Sequence, residues 1–159
     1  MTIFGTTGAL PPATIPSIGF VPTKYHSGGS IQEGIYYGTT VPMYYFYCPG
    51  QGSGGFSRLQ NIIFNDQITS YGNYCFLNCF YLKINSFPST VETIGKQAFR
   101  NCKEILNLTF NGTPTSIAND AFQDCDNLTI INVPWAEGEV ANAPWGATNA
   151  TINYNYIPS

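Results

Sequence analysis

A stacked-repeat solenoid of the α/β type is the fold this sequence predicts. Its parts are short parallel β-strands, short helical or 3₁₀ turns, and an irregular, partly β N-terminal segment. Three observations carry this expectation. Phe76, Phe99 and Phe122 recur with a 23-residue period, and so do Cys79, Cys102 and Cys125. Leu82, Ile105 and Leu128 keep the same period. An unbroken period of this length marks units that bury their apolar side only against one another.

Each unit opens as L-x-x-I-x-F. Its last two apolar residues are two apart, which is strand periodicity. Asn65, Pro88, Asn111 and Pro134 then end the strand. An I-x-x-I spacing follows and predicts a second short extended segment. In GKQAFRNC, residues 95–102, Ala, Phe and Cys fall at offsets that suit a helical or 3₁₀ turn. Stacking at about 4.8 Å turns each column into a ladder, Phe on Phe and Cys on Cys. In this reading Cys serves as a small, dense apolar filler.

The columns set the organisation. Three regular units are expected at 59–81, 82–104 and 105–127. A degenerate unit follows at 128–150, with Trp145 in the Phe column, Thr148 closing the Cys column and a terminal strand at 151–159. In that strand Thr151, Tyr154 and Tyr156 continue the columns of Leu128, Ile131 and Val133. Residues 1–58 lie outside the repeat and read as an N-terminal arm or cap rich in Pro, Gly and Tyr. Tyr36, Val41 and Phe56 leave only a trace of the columns there, Phe56 falling in the Cys column. GIYYGTTVPMYYFYC reads as one or two strands with a turn at Gly38 to Pro42.

Composition narrows the function. Only 9% of the 159 residues are charged, against roughly 25% in an ordinary domain. The net charge is −3, and the six basic residues, Lys24, Arg58, Lys83, Lys96, Arg100 and Lys103, form no stripe. Nucleic acid is therefore not an expected partner. No apolar run approaches the roughly 20 residues of a membrane span, so no membrane insertion is expected. The start, MTIFGTTGALPPATIPS, lacks the pattern of a signal peptide. A chain with aromatics at 15% and so little charge suits adhesion or a permanent assembly.

Residues able to do chemistry are few, and no catalytic, cofactor or metal site is expected. His26 lies in a Gly/Ser loop and Cys48 in poorly patterned sequence, with no third group to orient them. GQGSGG lacks the Lys-Ser/Thr pair of a phosphate loop and reads as a linker. Asp120, Asp124 and Asp126 miss the Ca²⁺-loop spacing and read as a solvated face. Cys75 and Cys79 are four apart, unlike a zinc or redox C-x-x-C pair, and the odd total of five cysteines argues for free buried thiols. The N-x-T triplets at Asn107, Asn111, Asn127 and Asn149 read as ordinary repeat surface.

The pattern L-x-x-I-x-F-P-x-x-V-x-x-I-G-x-x-A-F-x-x-C-x-x-L, clearest at 82–105, resembles the BspA-like leucine-rich repeat of bacterial surface antigens. The tail INVPWAEGEVANAPWGATNATINYNY is similar to the closing repeat of such proteins, phage-encoded ones included. Asn85, polar in an apolar column, and Tyr71 depart from the pattern. The resemblance implies a leucine-rich-repeat solenoid used for binding or adhesion, without catalytic residues.

Two surfaces are candidates. The outward strand face offers Ile63, Ile84, Leu106, Thr109, Ile130 and Asn132, with the apolar members expected as one stripe. Tyr36, Tyr37, Tyr44 and Tyr45 are candidates for docking the N-terminal segment onto a partner. The leading expectation is a phage virion component, a decoration, fibre or tail-associated protein at the particle surface. It would contact other virion or surface-assembly proteins through its N-terminal segment, and a host-surface protein or glycan through the strand face. A bacterial cell-surface adhesin that binds protein or glycan is the alternative.

Overall fold

The computed structural model describes residues 18–49 and 55–158. The N-terminal residues read for an export signal, and most of GQGSGG, lie outside them. Layers of chain stack with their strands side by side. A first row of strands comprises β2 (Ile31–Tyr37), β4 (Asn61–Phe64), β6 (Ser86–Phe87), β8 (Asn107–Phe110), β10 (Ile130–Asn132) and β11 (Thr151–Asn153). A second row comprises β3 (Thr40–Val41), β5 (Ser70–Tyr71), β7 (Thr93–Ile94) and β9 (Ser116–Ile117). Every pairing within these two rows is parallel. The core lies between the rows and the turns that follow the second row. Leu59, Leu82, Ile105 and Leu128 are completely buried within it.

Phenylalanines form the wall of the turns. Phe46 stacks on Phe76 at 4.8 Å, Phe76 on Phe99 at 5.3 Å and Phe99 on Phe122 at 5.5 Å, all with nearly parallel rings. These spacings match the distance between neighbouring strands, so one layer repeat serves both backbone and rings.

The cysteine column does more than fill space. The Sγ of Cys79, Cys102 and Cys125 donates to the carbonyl of Phe46, Phe76 and Phe99, at 3.1, 3.4 and 2.9 Å. The carbonyls of Phe76 and Phe99 also accept the backbone N–H of Cys79 and Cys102 in their own layer. The thiols of Cys102 and Cys125 therefore use a second lone pair of a buried carbonyl, which Ala or Val at that position would leave bare.

Among the described residues there is no helix where helical or 3₁₀ turns were expected. Alternate N–H groups of these turns bond across layers rather than along the chain. Phe76 N donates to Ala98 O, Phe99 N to Ala121 O and Phe122 N to Trp145 O. Left-handed residues also break each turn: Asn78, Asn101 and Asp124 have φ of 65°, 62° and 60°. Asn and Asp tolerate this region better than other side chains, and the column uses the amide as well. Asn101 Nδ2 donates to Asn78 Oδ1, and Asn78 Nδ2 donates to Cys48 O.

The parallel ladders do not stop at residue 59. Glu33 to Tyr36 pair with Asn61 to Phe64, and Thr40–Val41 with Ser70–Tyr71. A further layer therefore lies within 31–58, and its pairing offsets are 28 and 30 where the regular units have 23. Phe46 fills the Phe position there, while Cys48, also buried, takes the place of Asn78: Cys48 N donates to Leu77 O as Asn78 N donates to Arg100 O. Phe56, expected in the Cys column, instead packs edge-on against Phe20 and Phe46. The strand β1 (Gly19–Tyr25) runs antiparallel to β2 and covers this end. A Cβ at Gly34 would sit 2.2 Å from the Phe20 ring, so Phe20 occupies the space that an apolar side chain of β2 would fill.

The last unit is shorter than the columns suggested. Ile131 pairs with Ile152, an offset of 21, so Ile152 replaces Tyr154 in that column. Ala147, fully buried, closes the Cys column in place of Thr148, because Ala147 N donates to Pro144 O as Cys125 N donates to Phe122 O. Trp145 leaves the ring stack and meets Trp135 edge-on at 6.0 Å.

Two measurements check this packing. Phe99→Ala removes a ring stacked on both sides and is expected to destabilise the fold by roughly 3–5 kcal/mol in urea unfolding. Asn101→Val, which forces a β-branched residue into left-handed φ, is expected to cost about 1–3 kcal/mol in the same assay. Asn101→Gly should lose less.

Candidate functional site

The first row of strands turns alternate side chains outward. The register places Asn107, Ile130 and Thr151 in one outward column and Ser86, Thr109, Asn132 and Asn153 in the next. Ile63 is 65% exposed, Leu106 50% and Ile130 39%. They belong to three different columns, since Ile130 pairs with Asn107 and the Leu106 carbonyl accepts Thr129 N. The face therefore carries three separated apolar side chains rather than one stripe. Thr109 and Asn132 join a polar ladder in which Asn132 Nδ2 donates to Thr109 Oγ1 at 3.1 Å and Asn153 Nδ2 to Asn132 Oδ1 at 2.8 Å. Their polar groups tie layers together.

Ile84 is not an outward residue. It is half-buried and packs against the core, while Asn85, whose column is apolar, is exposed. Unit 82–104 thus turns in the neighbour of the polar residue. This slip has a consequence for the sheet. β2 and β4 form one sheet with β1, the first-row strands from β6 to β11 form another, and no ladder joins β4 to β6. A second cause lies at residue 88. One layer on, Asn111 N donates to Phe87 O. The residue that would serve Phe64 O in the same way is Pro88, which has no N–H.

The result is a split in the strand face. One cleft of about 720 Å³ lies among Asn61, Ile62, Lys83, Asn85, Glu104 and Asn107. A second, of about 350 Å³, reaches from Asp66 and Gln67 to Tyr71 and Pro88. Both include Phe64, Ile84 and Ser86 in their walls. The layers close again on either side, where Lys83 N donates to Gln60 O at 2.8 Å and Glu92 N to Thr69 O at 2.7 Å.

The four N-terminal tyrosines do not act together. Tyr36 is fully buried, in edge contact with Tyr45, Phe46 and Phe64, so it is a core residue rather than a docking one. Its hydroxyl donates to Thr40 O, and burial pushes its pKa up to about 12. Tyr37 and Tyr45 are half-buried, and the Tyr45 hydroxyl accepts Phe20 N. Tyr44 alone of the four is well exposed. It stacks on Tyr74 at 4.9 Å and meets Tyr47 edge-on, with Met43 exposed beside it. The sequence columns missed Met43, Tyr47 and Tyr74 as a group, because Tyr44 and Tyr74 are separated by more than one regular period.

The residues considered for chemistry are engaged elsewhere. His26 Nε2 lies 3.3 Å from Arg58 O, while Cys48 is buried in the core. Asp124 pairs with Arg100 at 2.8 Å and Asp126 with Lys103 at 2.6 Å, each bridging two layers. Asp120 accepts from Gln97, one layer away. Among the described residues no group of three metal-ligating side chains gathers, and no helix is long and apolar enough to cross a membrane. All five cysteines are free and buried. Burial pushes Cys75 and Cys102 far above the usual thiol range and Cys125 up to about 12. Burial first, and then the bond to Cys48, raise Cys79, while the same bond holds Cys48 down.

Residues 53–142 match the family model described as a BspA type leucine rich repeat region, in six copies. The fold is similar to the crystal structure of a leucine-rich repeat protein from Bacteroides ovatus, with a TM-score of 0.61 and 28% sequence identity. That likeness covers 82% of this chain and 31% of the Bacteroides one, so the chain spans less than a third of that relative. No curated protein matches the chain.

The raised thiols set a pH response. A thiol held neutral by burial contributes its full stability below its unfolded pKa of about 8.5, and loses it as pH climbs toward the folded value. Thermal melts should therefore be flat from neutral pH to about 8.5 and fall steadily above it, as Cys125 approaches its value of about 12. A thiol reagent at pH 8 should label the native chain slowly and the unfolded chain at once.

Proposed function

The chain belongs to the BspA-type leucine-rich-repeat family, and on that premise we propose that it is a non-enzymatic binding protein, a solenoid whose first-row strand face carries an adhesive site. The split between β4 and β6 is the observation that supports this most directly. It places an apolar floor, and the Asn85 and Asn107 amides that make no side-chain bond among the described residues, on a face otherwise tied up in interlayer ladders. Ile63 and Leu106 flank it as exposed apolar contacts, which are the kind of residue that anchors an interface. A protein or glycan on another cell or particle is the partner this reading calls for.

Exposed Met43, Tyr44 and Tyr47, with half-buried Tyr74 stacked on Tyr44, support a second contact at the N-terminal end. Attachment to a larger assembly, a virion or a cell-surface layer, belongs to the proposal on that ground and on the low charge of 9%. Tyr36 plays no part in it.

A labelled sample screened on protein and glycan arrays tests the strand face. The triple variant Ile63→Asp, Leu106→Asp, Ile130→Asp changes only exposed positions. It should melt as the wild type does and lose binding at least about tenfold, the equivalent of about 1.4 kcal/mol. A triple variant that binds its array partners as tightly as the wild type would sink the strand-face reading.

A further inference from the structure

We propose that the split between β4 and β6 is a carbohydrate-binding site that holds a pyranose ring over Phe64 and Ile84. This deepens the strand-face reading above and rests on it. The larger cleft, at about 720 Å³, falls within the roughly 300–1,000 Å³ of small-molecule sites. Its chemistry is two-sided. Ile62, Phe64 and Ile84 supply a half-buried apolar floor, one member of it aromatic. Asn61, Asn85, Asn107 and Ser86 supply the rim. A sugar ring has the matching division, an apolar C–H face and an edge of hydroxyls that both donate and accept. Amide side chains offer a donor pair and an acceptor on one short arm, so three of them suit such an edge.

The amides of this rim differ from most others in the molecule. Asn78, Asn101, Asn127, Asn132, Asn149 and Asn153 all bond to a neighbouring layer. Asn85 and Asn107 make no side-chain bond among the described residues, and Asn61 uses only its Nδ2, on Glu33. The Phe64 carbonyl adds an acceptor that Pro88 cannot serve, placed where a ring hydroxyl or an acetamido N–H arrives. Glu104 and Asp66 border the two clefts opposite a single base, Lys83, which disfavours an anionic ligand. An inserted peptide strand is disfavoured because the layers are pinned by hydrogen bonds on both sides of the split.

The test titrates cellobiose and N,N′-diacetylchitobiose, separately, into the ¹⁵N-labelled full chain. The expected result is saturable movement of the side-chain amide signals of Asn85 and Asn107, and of the backbone signals of residues 84–86. Asn107→Ala, at an exposed position without internal bonds, should weaken that binding about tenfold, as loss of one or two hydrogen bonds does. Asn111→Ala, exposed but outside both clefts, should leave it unchanged. Signals that stay still with both sugars overturn the proposal, as does binding indifferent to Asn107→Ala. Movement with a capped hexapeptide and with neither sugar also overturns it and assigns the split to a peptide. Failure here with the triple Asp variant still losing its array partner removes the sugar site alone. Retained array binding by that variant together with sugar-induced shifts removes the apolar-face reading alone.

Discussion

One spacing governs this molecule: the distance between successive layers. Parallel strands fix it near about 4.8 Å, and the Phe46–Phe76–Phe99–Phe122 stack repeats it at 4.8 to 5.5 Å on the far wall. A side chain that is not flat, or is too long, cannot sit in that wall without wedging two layers apart. The cysteine column follows from the same limit. A thiol is small enough to fit and still donates to the Phe carbonyl of the layer before. The spacing also replaces helical turns by interlayer bonds, because an N–H that reaches the next layer is unavailable to its own turn.

At both ends the constraint relaxes and the period changes. The first layer is longer than the regular ones, and β1 covers it as an antiparallel strand. Phe20 reaches from β1 into the place left by Gly34, so the cap supplies a core side chain to the layer it covers. The last layer is shorter, and Trp145 turns toward Trp135 instead of continuing the stack. A terminal ring has no neighbour on its outer side and gains more from an edge contact within its own layer.

This division accounts for what the sequence revealed. The regular columns of Leu82, Ile105 and Leu128, or Phe76, Phe99 and Phe122, were legible because each layer imposes the same demand on the same position. The N-terminal layer was not, because its longer offsets take Phe46 and Cys48 off the ruler that the regular units define. Tyr36 was misplaced as a surface residue for the same reason; in the true register it pairs with Phe64 and is core. Ile84 was misread because the slip at Asn85 changes which residue faces inward, and period alone cannot register a slip. Ile63, Leu106 and Ile130 were legible as exposed, but their columns required the strand register.

The split face shows how two small departures combine. Pro134 occupies the same position in its layer as Pro88 and equally denies an N–H to the preceding Phe carbonyl. Yet β8 and β10 still pair over three residues, because Ile131 keeps the inward apolar place and is buried against the core. At β6 the inward place falls to Asn85, which turns out, and Ile84 replaces it from the neighbouring position. Proline alone shortens a ladder by one residue; proline with a displaced core residue abolishes it. A stack of near-identical layers has little reason to hold a cleft, since every layer buries the one beside it. Here the sequence breaks the apolar column and the donor pattern between Asn85 and Pro88 of one unit, and the opening that results is lined by Asn85 and Asn107, whose amides make no side-chain bond among the described residues.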